Sequence, residues 1–174
     1  MEEFNLDSAP PDFQELRWVM LVAFAGSCGG WLVNYVTVIH RSFRDRTSGV
    51  PLAGLCNNLA WELVFGLVSR PKHLVATIPL GLWLLFNIFV VVSTIKFGRL
   101  PSSGYSPLMQ RILPAVVFFG TLACVSGHMS LVYYVGPTKA LSYGAMICQL
   151  TYGMSALELL IQRGHTRGAS YTTW

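Results

Sequence analysis

The sequence predicts an all-α membrane protein, a five-span helical bundle, on three observations. Of its 174 residues, 53% are hydrophobic and 11% are charged, whereas an ordinary soluble domain carries about 25% charged residues. Its apolar residues gather into five runs of span length, since a hydrocarbon core about 30 Å thick takes roughly 20 residues of helix. Five such helices and their connections use up the chain, so residues 1–174 read as a single transmembrane domain with no separate soluble unit.

Residues 1–17 make an acidic tail, with Glu2, Glu3, Asp7, Asp12 and Glu15 against one base, Arg17. No basic segment leads into an apolar one there, so a cleaved signal peptide is not expected and the first span inserts by itself. That span covers roughly 18–39, from Trp18 to Ile39, and stops at HRSFRDR and a Thr-Ser-Gly turn. The second covers 50–68 and is closed by SRPKH. The third, 74–95, is the most uniformly apolar and reads as lipid-facing. KFGRLPSSGYSPLMQR, with its prolines, glycines and bases, reads as a loop before the fourth span at 112–135. GPTK reads as a tight turn, and the fifth span, 140–161, runs out into QRGHTRGASYTTW.

Beyond the tail the chain is basic, but its bases are dispersed in twos and threes between apolar runs, which argues against a nucleic-acid-binding face. Their distribution sets an orientation, because cytoplasmic loops retain Lys and Arg. With the N-terminus lumenal, the cytoplasmic segments hold Arg41, Arg44, Arg46, Lys96, Arg99, Arg111, Arg163 and Arg167, against Arg17, Arg70, Lys72 and Lys139 on the other side. The residue-174 end is then cytoplasmic. Cys28, Cys56, Cys124 and Cys148 all lie in apolar stretches without a CxxC pair, so they are expected as packing residues and not as a disulfide framework or zinc site.

An ionisable residue inside a span costs at least ~2.5 kcal/mol on insertion scales and is a functional candidate by default. Glu62, in GLCNNLAWELVFGLV, has no base in its own helix. Helical spacing puts Asn58, Trp61, Glu62 and Phe65 on one face. Desolvation favours the neutral acid at such a site, which makes Glu62 a proton donor into an apolar cavity bordered by aromatic rings. The competing structural reading is that Glu62, Asn57 and Asn58 hydrogen-bond neighbouring helices. Glu158 lies five residues before Arg163 and is expected to pair or snorkel at the interface. His128, beside Ser126 and Ser130, fits either an interhelical hydrogen bond or a proton relay. Asn34, Tyr35, Asn87 and Gln149 read first as helix-packing residues, Asn34 and Tyr35 being kept as pocket candidates with His128. No phosphate-binding glycine loop, DDxxD-like cluster, GxSxG or HExxH is present, so ionisation of a prenyl diphosphate is unsupported.

These residues resemble a known family, the small integral-membrane terpene cyclases of fungal meroterpenoid and indole-diterpene pathways, of the paspaline-synthase-like kind. The resemblance lies in SAPPDF, in WLVNYVTVIHRSFRDRTSGVPLAGLCNNLAWELVFGL, in GPTKALSYGAMICQL and in RGHTRGASYTTW. Its strongest element is Cys56 with Asn57 or Asn58, then Ala60, Trp61 and Glu62. The resemblance implies an all-helical bundle of seven spans, the last two and a second acid being expected to be missing here, and Glu158 matches no motif position. It implies a cyclase without metal or cofactor, seated in the endoplasmic reticulum, that protonates the terminal epoxide of a farnesyl-type prenylated aromatic or polyketide substrate. Glu62 is the matching acid. Expected partners are that hydrophobic epoxy-prenyl substrate, the lipid bilayer and other membrane enzymes of the same pathway, with no nucleic acid. Three alternatives stay open: a truncated, non-catalytic remnant of such a cyclase, an indole-diterpene cyclase, and a small proton-coupled carrier using Glu62 and His128, the last disfavoured because no inverted repeat is visible.

Overall fold

The computed structural model describes residues 11, 15–72 and 74–168, so the acidic tail and the final ASYTTW fall almost wholly outside the described residues. Most of the described residues are helical: α1 Arg17–Asp45, α2 Leu52–Leu63, α3 Leu74–Gly98, α4 Pro107–Val135 and α5 Pro137–Arg163. α2 runs on into Val64–Val68, a wider turn closed by the Ser69 amide donating to the Val64 carbonyl at 2.7 Å. Among the described residues four helices, α1, α3, α4 and α5, are long and apolar enough to cross a membrane. The chain is an all-α membrane protein.

The second apolar run differs from the others. Leu52–Val68 is a shorter helix, reaching about 25 Å at 1.5 Å per residue, and it is the inner one. α2 packs against α3, α4 and α5, while α1 lies along α3 and α4 along α5. Gly54, Leu55, Cys56, Asn57, Ala60, Trp61 and Glu62 are all buried. Large apolar side chains such as Leu74, Phe118, Phe119 and Ile161 instead point outward from the surrounding helices, as surfaces facing lipid do. A helix shielded on most sides tolerates polar residues, because their partners come from neighbouring helices.

Helix ends depart from the hydropathy boundaries because local capping chemistry fixes them. α1 continues beyond Ile39 to Asp45 and is stopped by Arg46, which takes left-handed backbone (φ 50°) as its amide donates to the Ser42 carbonyl. α4 begins at Pro107, inside the stretch expected as a loop. The Ser106 hydroxyl accepts from the Met109 amide at 3.2 Å and Pro107 occupies the first helical position, a favoured start for a helix. The expected GPTK turn shrinks to Gly136, whose φ of 83° and ψ of 156° suit glycine, and α5 starts at Pro137.

The ends of α1 and α5 are tied together. The Asp45 carboxylate accepts from the Gly168 amide at 3.0 Å, the Arg167 side chain donates to the Asp45 carbonyl at 3.3 Å, and the Arg163 side chain donates to the Ser48 carbonyl. At the same end of the bundle Phe43 of α1 meets Phe97 of α3 edge-on at 5.1 Å, with the Lys96 ammonium 5.3 Å from the Phe43 ring.

Candidate active site

Glu62 is 1% exposed and yet carries three hydrogen bonds. Its Oε1 accepts from the Tyr35 hydroxyl on α1 and, at 3.0 Å, from the Asn58 amide one turn earlier on α2. Its Oε2 accepts from the Asn87 amide on α3 at 2.8 Å. Asn58 also donates to the Tyr35 oxygen at 2.6 Å. Three helices thus converge on one carboxyl group, and the wide turn of Val64–Val68 begins two residues beyond it, a helix irregularity common at functional sites.

Glu62 borders a cavity of about 670 Å³ that also touches Ser27, Trp31, Tyr35, Asn58, Trp61, Trp83, Ala145, Met146, Cys148, Gln149 and Leu150. That volume lies within the usual range for small-molecule sites, about 300–1,000 Å³. Its walls are chiefly apolar and aromatic. Trp61 and Trp83 lie 6.3 Å apart, Trp31 and Tyr35 5.9 Å apart, and Tyr35 stacks on Phe86 at 6.5 Å. Trp61 is fixed by its indole N–H donating to the Leu141 carbonyl at 3.0 Å, whereas the buried Trp83 indole N–H has no hydrogen-bond partner among the described residues. Aromatic faces attract cations by ~2 kcal/mol or more once water is excluded.

Behind Trp61 lies a second polar cluster. Asn57 donates to the Thr151 hydroxyl at 3.3 Å, which leaves its Oδ1 to accept from His128 Nε2 at 3.0 Å. The Cys148 thiol donates to the Asn57 carbonyl at 3.5 Å. Gly144 makes the packing possible: a Cβ there would stand 2.7 Å from Trp61 Cδ1 and 3.1 Å from His128 Nδ1.

Of the residues singled out from sequence, Glu62, Asn58, Trp61 and Tyr35 meet at the cavity. Asn34 borders a smaller neighbouring void, its amide oxygen buried without a partner among the described residues. Phe65 and His128 are not among the residues lining the larger cavity; they pack edge-on at 6.3 Å behind Trp61. Phe65 packs on Trp61, with ring centroids 5.7 Å apart, and of the two it is Trp61 that reaches the cavity. Glu158, expected to pair or snorkel at the interface, is exposed and accepts from Gln162 at 2.9 Å within its own helix turn, while the Arg163 side chain donates to the Ser48 carbonyl. Asn87 and Gln149, read as packing residues, both reach the site, one at Glu62 and one at the cavity wall. The available signal for Asn87 was an amide within the most apolar run.

Residues 4–174 match the family described as Pyr4-like transmembrane terpene cyclases. The whole chain aligns with terpene cyclase esdpB of Penicillium shearii at 53% identity, covering 71% of that protein. It aligns likewise with terpene cyclase cle7 of Aspergillus versicolor at 46% identity, covering 73%, and with terpene cyclase paxB of Penicillium paxilli at 37% identity, covering 71%. No solved structure matches.

Proposed function

The chain belongs to the Pyr4-like transmembrane terpene cyclases, and from that membership we propose that it cyclises a farnesyl-type prenylated aromatic or polyketide epoxide of meroterpenoid biosynthesis, Glu62 protonating the epoxide. The observation that carries this reading is a buried carboxyl group at the wall of a cavity lined by tryptophans. A neutral acid held there acts as a general acid. Proton transfer opens the epoxide, the polyene closes onto the cationic carbon, and the ring faces of Trp31, Trp61 and Trp83 stabilise the charge as it moves. Loss of one carbon-bound proton completes an isomerisation, a reaction of the isomerase or lyase type that as drawn needs no metal or cofactor.

The proposed seat is the endoplasmic reticulum membrane, the N-terminus lumenal and the residue-174 end cytoplasmic. Eight of the twelve Lys and Arg fall at the ends of α1, α3 and α5 and the start of α4, in accord with positive charge retained on the cytoplasmic side.

The test is turnover in microsomes. A farnesyl phenol bearing the terminal epoxide is expected to give a product of unchanged mass and altered retention, and the matching alkene is expected to be recovered intact. Conversion of both compounds, or of neither by correctly inserted protein, would refute epoxide protonation by this chain; the second result favours the non-catalytic alternative.

A further inference from the structure

The two oxygens of the Glu62 carboxyl group are not equivalent. Oε1 accepts from both Tyr35 and Asn58, whereas Oε2 accepts, among the described residues, from Asn87 alone. A carboxyl oxygen offers about two lone-pair positions, so those on Oε1 are filled and one on Oε2 stays open. The second bond made by the Asn58 amide, to the Tyr35 oxygen, turns the phenol O–H toward Glu62. All three donors are neutral, and Tyr35 and Asn87 are themselves buried.

We propose that Tyr35, Asn58 and Asn87 form a cradle that makes Oε2 the proton-delivering oxygen of Glu62 and stabilises the carboxylate left behind, so that Tyr35 and Asn87 are positioning residues for cyclisation. The inference rests on Glu62 being the proton donor. In the neutral acid the hydroxyl proton sits on Oε2, and Oε1 is the carbonyl oxygen with two donors. On transfer the Oε2–H bond breaks, an O–H bond forms at the epoxide oxygen, and the epoxide C–O bond to the more substituted carbon breaks, leaving that carbon cationic. The negative charge then appears on Glu62, where three donors already point. Hydrogen bonds to an ionised acceptor are roughly twice as strong as neutral ones, so the cradle strengthens as the proton leaves and favours the transition state over the ground state. Departure of a carbon-bound proton from the cyclised cation and reprotonation of the carboxylate close the proton count.

Infrared difference spectroscopy of the full chain in lipid tests this without requiring turnover. The protonated carboxyl band of Glu62 is the one lost in Glu62→Gln. Tyr35→Phe, which deletes a single oxygen atom and one donor to Oε1, is expected to move that band to higher frequency. Asn87→Leu, which deletes the donor to Oε2, is expected to leave it nearly in place. A shift in Asn87→Leu equal to or larger than that in Tyr35→Phe would overturn the assignment of the proton to Oε2. Absence of any carboxyl band lost in Glu62→Gln would instead contradict the proton-donor reading itself, so the two failures are distinguishable. In microsomes given the terminal-epoxide farnesyl phenol, each variant is expected to lower kcat by about 10²-fold, the usual cost of removing one donor from a developing anion, while KM changes little. Wild-type kcat in both variants, with Glu62→Gln inactive, would reject the cradle and leave Glu62 as the donor.

Discussion

Asn57 and Asn58 are adjacent, but the step of about 100° between helix neighbours sends them to different partners. Asn57 joins His128 and Thr151, and Asn58 joins Glu62 and Tyr35. The sequence made Glu62 conspicuous because a carboxyl group in an apolar run is costly, and helical spacing set Asn58 on the same face, where it donates to the acid. Tyr35 and Asn87 were harder to read, since lone polar residues in spans usually serve packing and only the meeting of α1, α2 and α3 brings them to the acid. Gly144 carried no visible signal at all. Its role is steric, and it gives a prediction: Gly144→Val drives the new side chain into Trp61 and His128. Thermal unfolding in detergent is expected to show a loss of about 1–3 kcal/mol together with reduced turnover as Trp61 leaves the cavity wall. Unchanged stability and activity would show that the gap tolerates a side chain.

Among the elements, α2 departs furthest from its hydropathy profile. Composition gives it the look of one span among five, yet its shortness and its three amide and carboxyl residues mark the helix that the others enclose. Hydropathy locates apolar runs, whereas Ser106, Gly136 and Arg46 place the ends of the helices, which is why α1, α4 and α5 all outrun their expected limits. The tie between α1 and α5 was also absent from the sequence reading. It depends on backbone proximity: a Cβ on Gly49 would stand 1.9 Å from the Gly168 carbonyl oxygen, and Gly168 has φ 82°, backbone that favours glycine. Gly49→Val is therefore expected to displace residues 164–168 and to speed trypsin cleavage at Arg167 in the solubilised protein, relative to the unaltered chain. Equal cleavage rates would show that the tie survives the substitution.

For the whole molecule, the all-α membrane class followed from composition and the span length of the apolar runs, and membership of the cyclase family agrees with the resemblance carried by the Cys-Asn-Asn-x-Ala-Trp-Glu segment. The proposed orientation has its own check. A glycosylation acceptor fused ahead of residue 1 is expected to be modified in microsomes, and one fused after residue 174 is not; the opposite pattern would invert the topology. The proposed chemistry, in which one buried acid opens the ring cascade in an aromatic cavity, turns on a single atom exchange. Glu62→Gln keeps the shape and size of the side chain and removes its acidic proton. With insertion matched to the unaltered protein, microsomes containing Glu62→Gln are expected to return the terminal-epoxide farnesyl phenol unconverted while the unaltered chain yields an isomer of the same mass. Formation of that isomer by Glu62→Gln at the unaltered rate would contradict Glu62 as the proton donor.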